Sequence, residues 1–232
     1  MDARVRELVK ATIPVLKEHG VALTTYFYQR MFRHNPELKN IFNQSHNETG
    51  KQPVALAMAV LAYAENIDDP SVLAPVITLI ANKHASVGIR AEHYPIVGKH
   101  LLASIREVLG DAASDELIHA WGVAYGALAD VFIEAESKLY NEACNSDGGW
   151  SGWRSFRIID KVRESAEITS FHLVPCDGGP LPSYRAGQYT TVRAFVPELG
   201  VMQLRQYTLS IAPGAMHFRI SVKREPASTT TP

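Results

Sequence analysis

Asp69 to Gly88, DPSVLAPVITLIANKHASVG, reads as one amphipathic helix whose apolar stripe ends on a histidine. Leu73, Val76, Ile77, Ile80, His84 and Val87 recur at steps of three and four, the spacing that gathers side chains on one face of an α-helix. Asp69 suits the capping position and Pro70 the first helical position, so the spacing predicts a single helix with this stripe against a core. His84 then points inward. An inward histidine is either a core residue held by a hydrogen bond or a ligand, and the helix taken alone favours the first. The rest of the chain has to decide.

The chain has 232 residues, 46% hydrophobic and 20% charged, which suits one to two domains with a sizeable core. A net charge of -1 and a pI near 6.8 give no global attraction to nucleic acid or an anionic membrane. Small-molecule chemistry is the expectation. Cys144 and Cys176 lie far apart in sequence and read as free thiols in a reducing compartment. The start, MDARVRELVK, mixes charges into its apolar positions, and no later run reads as long enough for a membrane span. A cytoplasmic protein is expected.

Up to about Ala143 the apolar period is helical. Val5, Leu8, Val9, Ile13 and Leu16 make a first stripe that Pro14 should kink or shorten and Gly20 should end. A second helix buries Leu23, Phe27 and Met31, with Thr24, Tyr28 and Phe32 alongside. Pro36 opens a short helical turn. Asn43 to Gly50 is a polar loop, after which Gln52, Leu56, Ala59 and Tyr63 fall on one line. EHYPIVGKHLLASIREVLG follows the histidine helix, and a long last helix from about Ser114 carries Leu117, Trp121, Tyr125, Leu128, Phe132, Ala135 and Leu139. Glu136 lies beside that stripe; if it is inside, it must be paired, because an unpaired buried charge is too costly. Polar groups thus sit at or beside the apolar faces at Tyr28, Gln52, His84, Tyr94 and Glu136, and a packed helical core has little use for five of them. His19, His34, His46, His93, His100 and His119 complete no recognisable ligand set.

In this order, YFYQRMF, NPELKNIFN, the Gln52 helix, ANKH, EHYPIVGKHLLASI and AWGVAYGALADVFIEAESKLYNE resemble the globin domain of bacterial flavohaemoglobins, which act as nitric oxide dioxygenases. The resemblance runs through residues 1–148. It implies that His84 is the axial ligand of the iron of haem b, that Phe42 packs on the haem face and that Leu56 lines the distal pocket. Tyr28 would donate a hydrogen bond to iron-bound dioxygen, with Gln52 as a second distal polar group. Tyr94 and Glu136 would couple to the His84 imidazole, fixing its tautomer and raising its donor strength. Lys83 would lie near a flavin.

After CNSDGGWSGW the period changes from 3.6 to 2, with a linker at 149–152. FRIIDKVRE, EITSFHLVP, GQYTTVRAFVP, MQLRQYTLSI and MHFRISVKRE are five strand candidates of a small antiparallel barrel over 153–232, and Pro213-Gly214 signals a hairpin between the last two. Gly187-Gln188-Tyr189 and Arg205-Gln206-Tyr207-Thr208 resemble the flavin domain of ferredoxin-reductase-like enzymes. There the arginine pairs with the FAD pyrophosphate through its fork of donors, the tyrosines Tyr189 and Tyr207 lie against the flavin, and Thr208 approaches its reactive nitrogen. The family would continue into a glycine-containing phosphate turn and an NAD(P)-binding domain, whereas this chain ends in ASTTTP with no G-x-G-x-x-G. The barrel is therefore expected to be incomplete, with exposed strand edges and a weak hold on FAD, and NAD(P)H is expected to serve only a full-length form.

The fold expected is all-α then β, a globin domain followed by an incomplete antiparallel barrel. The first functional reading is a nitric oxide dioxygenase acting on dioxygen and nitric oxide, with an external reductase as the partner that would supply electrons. The second is a haem-based oxygen or nitric oxide carrier or sensor without sustained turnover. The third, a cofactor-free helical protein joined to a β domain, leaves the polar groups around the core unexplained.

Overall fold

Pro14 sets the first boundary. Lacking an amide hydrogen and fixed in φ, proline is tolerated in the first turn of a helix and not deeper. Accordingly α1 (Ala3–Ala11), capped by the Asp2 carboxylate, stops at Thr12, and α2 (Ile13–His34) restarts with Pro14 in its first turn. Gly20 does not end the helix as expected. It lies buried inside α2, where a side chain would come within 3.5 Å of the Ala57 Cβ, so its smallness serves the approach of another helix.

The computed structural model describes residues 1–42 and 50–225. His46, most of the polar loop and the ASTTTP ending lie outside them. The remaining helices are α3 (Lys51–Glu65), α4 (Ala74–Val87), α5 (His93–Leu109) and α6 (Asp115–Asn145), with 3-10 turns at Pro36–Asn40, Pro70–Leu73 and Gly110–Ala112. One compact unit is formed by Met1–Leu139 with Ala194–Leu204, another by Tyr140–Arg193 with the chain from Arg205 onward.

In the helical unit, Phe27 and Met31 are almost wholly buried among Leu23, Tyr63, Leu101, Ile105 and Trp121. Each such side chain contributes about 1.5–3 kcal/mol. Hydrogen bonds fix where the helices cross: Thr24 Oγ1 donates to the Pro53 carbonyl of α3 at 2.8 Å, and the Tyr63 hydroxyl donates to the Ala124 carbonyl of α6 at 2.9 Å.

Two expectations about the histidine helix are corrected. Pro70–Leu73 is a separate 3-10 turn, and α4 begins at Ala74 with Pro75 in its first turn. Its stripe is also only half-buried, Val76 is exposed, and Ala81 alone in α4 is fully buried. At 100° per residue Val76 falls on the margin of the line through Leu73, Ile77, Ile80, His84 and Val87, so it faces outward. That line itself is not closed over by protein. A third correction concerns α6, which by length and hydropathy (1.2 over its most apolar window) could cross a membrane. In the helical unit it buries Ala120, Trp121, Ala124, Phe132 and the Glu136 carboxyl.

Five strands follow: β1 (Phe156–Arg163), β2 (Ile168–Pro175), β3 (Tyr189–Val196), β4 (Val201–Thr208) and β5 (Phe218–Lys223). Among the described residues they pair as an antiparallel sheet β1-β2-β5 and a separate β3-β4 hairpin, and do not close into a barrel. Pro213 and Gly214 form a turn, with φ +88° at the glycine, yet β4 and β5 are not a hairpin. A single bridge, Leu209 to Ile220, joins those segments, because β5 takes its ladder from β2 and β4 from β3. Phe218, Ile220 and Leu209 make the core of this unit with Phe171, Leu173 and Tyr184. Cys144 and Cys176 are exposed free thiols.

His100 of α5 is 2% exposed and sits between Arg30 Nη1, at 2.6 Å from Nδ1, and Asn35 Oδ1, at 2.8 Å from Nε2. Arg30 has only donors, so Nδ1 accepts and the ring is neutral. Arg30 also pairs with Glu107 at 3.0 Å, tying α2 to α5. Burial, aided by Arg30, holds His100 below the ordinary histidine range. The unfolded chain therefore takes up a proton that the folded one refuses, so this contribution to stability is intact above about pH 6.5 and is lost as pH falls below it. Thermal melts from pH 7.5 to 5 are expected to show falling stability, with a shallower slope in His100→Gln.

Candidate functional site

Glu136 is the most heavily buried charged side chain near His84, at 2% exposure in the last third of α6. A carboxyl in that position must meet donors, and two converge on its Oε1. His84 Nδ1 lies 2.8 Å away and the Tyr94 hydroxyl donates at 2.5 Å. Nδ1 is also 3.2 Å from the Tyr94 oxygen. Three helices meet here: the last turn of α4 brings the histidine, the first turn of α5 the tyrosine, and α6 supplies the acid. Gly88, with φ +84°, closes α4 just after His84, where the Ile89 amide returns to the His84 carbonyl at 3.0 Å.

The geometry fixes the imidazole. With a carboxylate on Nδ1, that nitrogen carries the hydrogen, and Nε2 keeps its lone pair. Nε2 has no hydrogen-bond partner among the described residues. Phe132 lies against the ring at 5.5 Å between centroids, and Tyr94 stacks on Phe132 at 6.5 Å with the planes inclined 20°. Glu136 Oε2 is buried without a partner among the described residues, so both donors act on one oxygen.

Tyr94 is held in turn by α6. The Tyr125 hydroxyl donates to the Tyr94 carbonyl at 2.7 Å, and the Tyr125 ring lies where a side chain on Gly98 would be, 2.5 Å from an added Cβ. Gly98 is thus required by the passage of a ring.

On α2 and α3 the second group of expected residues comes together. Tyr28 is 6% exposed and its hydroxyl is hydrogen-bonded with the Gln52 side chain. Burial pushes the Tyr28 phenol far up, against a smaller opposing effect of Gln52, so it is a neutral donor at any physiological pH. Phe42 meets Tyr28 edge-on at 5.9 Å and Phe32 at 5.5 Å, and Leu56 packs half-buried against the same cluster. Lys83 lies beside His84 on the outer side of α4, its ammonium drawn below the usual lysine range by partial desolvation.

These residues fit a flat apolar group held at one axial nitrogen. His84 offers an unshared Nε2 with its opposite nitrogen braced by a carboxylate. The apolar line Leu73, Ile77 and Ile80 beside it is left half-exposed, and Phe42 and Leu56 pack with the neutral Tyr28 phenol in a second apolar cluster. In the β unit, pairing of β3 with β4 brings Tyr189, at the start of one strand, near Tyr207 and Thr208, at the end of the other. The Leu209 amide donates to the Gln188 carbonyl at 2.9 Å, and Gly187 precedes it with φ +88°. Arg205 and Thr208 are exposed, Gln206 and Tyr207 half-exposed, and Tyr189 is 44% exposed. A guanidinium, two phenol rings and a hydroxyl at one strand end suit a phosphorylated aromatic ligand.

Sequence reasoning set aside His100, whose burial follows from helix packing rather than from a local pattern. It did not weigh His172 and His217, whose meeting depends on strand register.

A family model described as Globin matches residues 25–132. A flavohemoprotein of Chromobacterium violaceum is 62% identical over 232 residues, all of this chain and 57% of its own length. The chain thus spans little more than half the curated relative it matches. The crystal structure of a flavohemoglobin from Malassezia yamatoensis with bound FAD and heme superposes with a TM-score of 0.86 at 29% identity, over 99% of this chain and 59% of that one. A bacterial globin from Campylobacter jejuni is 38% identical, with a TM-score of 0.58, over 60% of this chain and 99% of that one.

Gly98→Ala is expected to displace the Tyr125 ring and with it Tyr94, destabilising the fold by about 1–3 kcal/mol. Urea unfolding of the variant beside the parent chain checks this.

Proposed function

The chain belongs to the flavohemoprotein family, with a globin as its helical part, and from that premise we propose that it binds haem b at His84 and converts nitric oxide and dioxygen to nitrate. Haem iron, when bound, supplies the one-electron centre at which the two gases combine, and each turnover needs one electron returned through FAD. The observation that carries the reading is the convergence of His84 Nδ1 and the Tyr94 hydroxyl on a single buried oxygen of Glu136. The protein's own work then divides between two groups of residues.

On the His84 side, Glu136 holds the imidazole in one tautomer and draws on its N–H, which makes Nε2 a stronger electron donor to a metal. Tyr94 shares the same oxygen and keeps the carboxyl from turning away. On the opposite side, Tyr28 presents a neutral hydroxyl inside apolar walls, where a hydrogen bond to developing negative charge is worth more than in water. Gln52 orients that hydroxyl, and Phe42 and Leu56 exclude water. For electron supply, Arg205 would hold the pyrophosphate of FAD, Tyr189 and Tyr207 would cover its ring system, Gln206 and Thr208 would meet its polar edge, and Lys83 would place positive charge near the path. NAD(P)H is the electron source proposed for the full-length form, and an external reductase for a form without that domain.

Two tests follow. His84→Ala is expected to abolish haem retention while leaving helical circular dichroism unchanged; normal iron ligation in that variant would sink the proposal. In stopped flow, the ferrous haem-loaded chain equilibrated with dioxygen and mixed with nitric oxide is expected to give one equivalent of nitrate. Tyr28→Phe should speed dioxygen release by about 10–100-fold, the worth of one charge-assisted hydrogen bond. If addition of FAD and NADH then restores no further nitrate formation, the chain performs the chemistry once but does not reduce itself, and sustained turnover requires an external reductase.

A further inference from the structure

The sheet β1-β2-β5 has two unlike faces. Side chains alternate along a strand, and Phe171, Leu173, Phe218 and Ile220 take one face as the core of the unit. The other face carries polar side chains at its centre. Ser170, fully buried, meets Ser221 at 2.9 Å between hydroxyl oxygens, and Ser221 meets Ser210 at the same distance. His172 stands on that face opposite Arg219, and His217, two residues before Arg219, is its diagonal neighbour. The two imidazoles touch: His172 Nδ1 lies 2.8 Å from His217 Nε2, with ring centroids 4.8 Å apart and planes inclined by 35°.

We propose that His172 and His217 form a two-histidine site for a divalent cation of tetragonal preference, copper(II) before nickel(II). Two nitrogens bound cis at about 2.0–2.1 Å lie about 2.9 Å apart at a right angle and about 3.3 Å apart at a tetrahedral angle. The observed 2.8 Å matches the right angle, which is the geometry of copper(II) and nickel(II) with nitrogen and oxygen ligands, and copper(II) stands at the top of the divalent affinity order.

Little has to move. In the hydrogen-bonded pair one ring donates N–H and the other accepts. For both nitrogens to offer lone pairs, the donor ring shifts its hydrogen to its other nitrogen, with no net loss of a proton, and both rings turn to converge on one point. Asp160 of β1 faces His172 in the strand register and places negative charge beside the site. Arg219, the nearest positive group in register, is committed elsewhere, its Nε 3.1 Å from Ser210 Oγ and its Nη2 on the Ser210 carbonyl. No third His, Cys, Asp or Glu joins the pair among the described residues, so water or a small ligand fills the remaining positions.

The tag-free full chain, titrated with copper(II) chloride and followed by electron paramagnetic resonance, is expected to show one bound equivalent with splitting from two nitrogens. His172→Gln and His217→Gln should each weaken binding by about tenfold or more, whereas His119→Gln, an exposed change on α6, should leave it intact. Copper(II) held equally well by both Gln variants would overturn the proposal. Should a variant lose its β-sheet circular dichroism, paramagnetic broadening in the parent chain decides: broadening of the His172 and His217 imidazole signals first supports the site, and broadening centred elsewhere refutes it.

Discussion

A carboxyl group buried in a helical core must be neutralised by donors that the fold itself delivers, and Glu136 imposes that demand on three helices. Its position on α6 requires the N-terminal turn of α5 to bring a hydroxyl and the C-terminal turn of α4 to bring an imidazole, both to one oxygen. Replacing the whole hydrogen-bonded set by well-packed hydrocarbon would cost little stability, whereas removing the acid alone would strand the His84 N–H and the Tyr94 hydroxyl. In the function proposed, the arrangement serves His84, whose outer nitrogen lies beside an apolar face that is only half-buried. Tyr125 and Gly98 extend the same logic outward, since the tyrosine that fixes Tyr94 fits only where a residue has no side chain.

The β unit works by contrast of faces and ends. Its core is one apolar side of a three-stranded sheet, while the opposite side gathers serine hydroxyls, Arg219 and the two histidines. The separate β3-β4 hairpin carries, toward one end, the arginine, tyrosines and threonine proposed above to hold FAD. Function is thus distributed by strand alternation and strand pairing, and neither property is local.

That difference explains what could be read in the sequence. The helices were legible because their stripes are local: Leu23, Phe27 and Met31 predict their own burial, and Leu117 through Leu139 trace one face of α6. The site was legible in part, since Tyr28, Gln52, His84, Tyr94 and Glu136 stood out as polar groups on apolar faces, and resemblance to a known family gave them roles. Gly20 was misread as a stop, because a glycine that ends a helix and one that admits a neighbouring helix look alike until Ala57 is in place. Pro213-Gly214 was read as a hairpin since a turn was evident, but the choice of partner strand lies about fifty residues away. Burial of His100 and the meeting of His172 with His217 depend on packing and register, which no short window contains.

The central claim is that Glu136 acts on iron through His84. Resonance Raman spectroscopy of the ferrous haem-loaded chain measures the stretch of the iron–imidazole bond directly. The account predicts a higher frequency in the parent chain than in Glu136→Gln, where the charge on the accepting oxygen is gone while its size remains. Equal frequencies in the two proteins would contradict it.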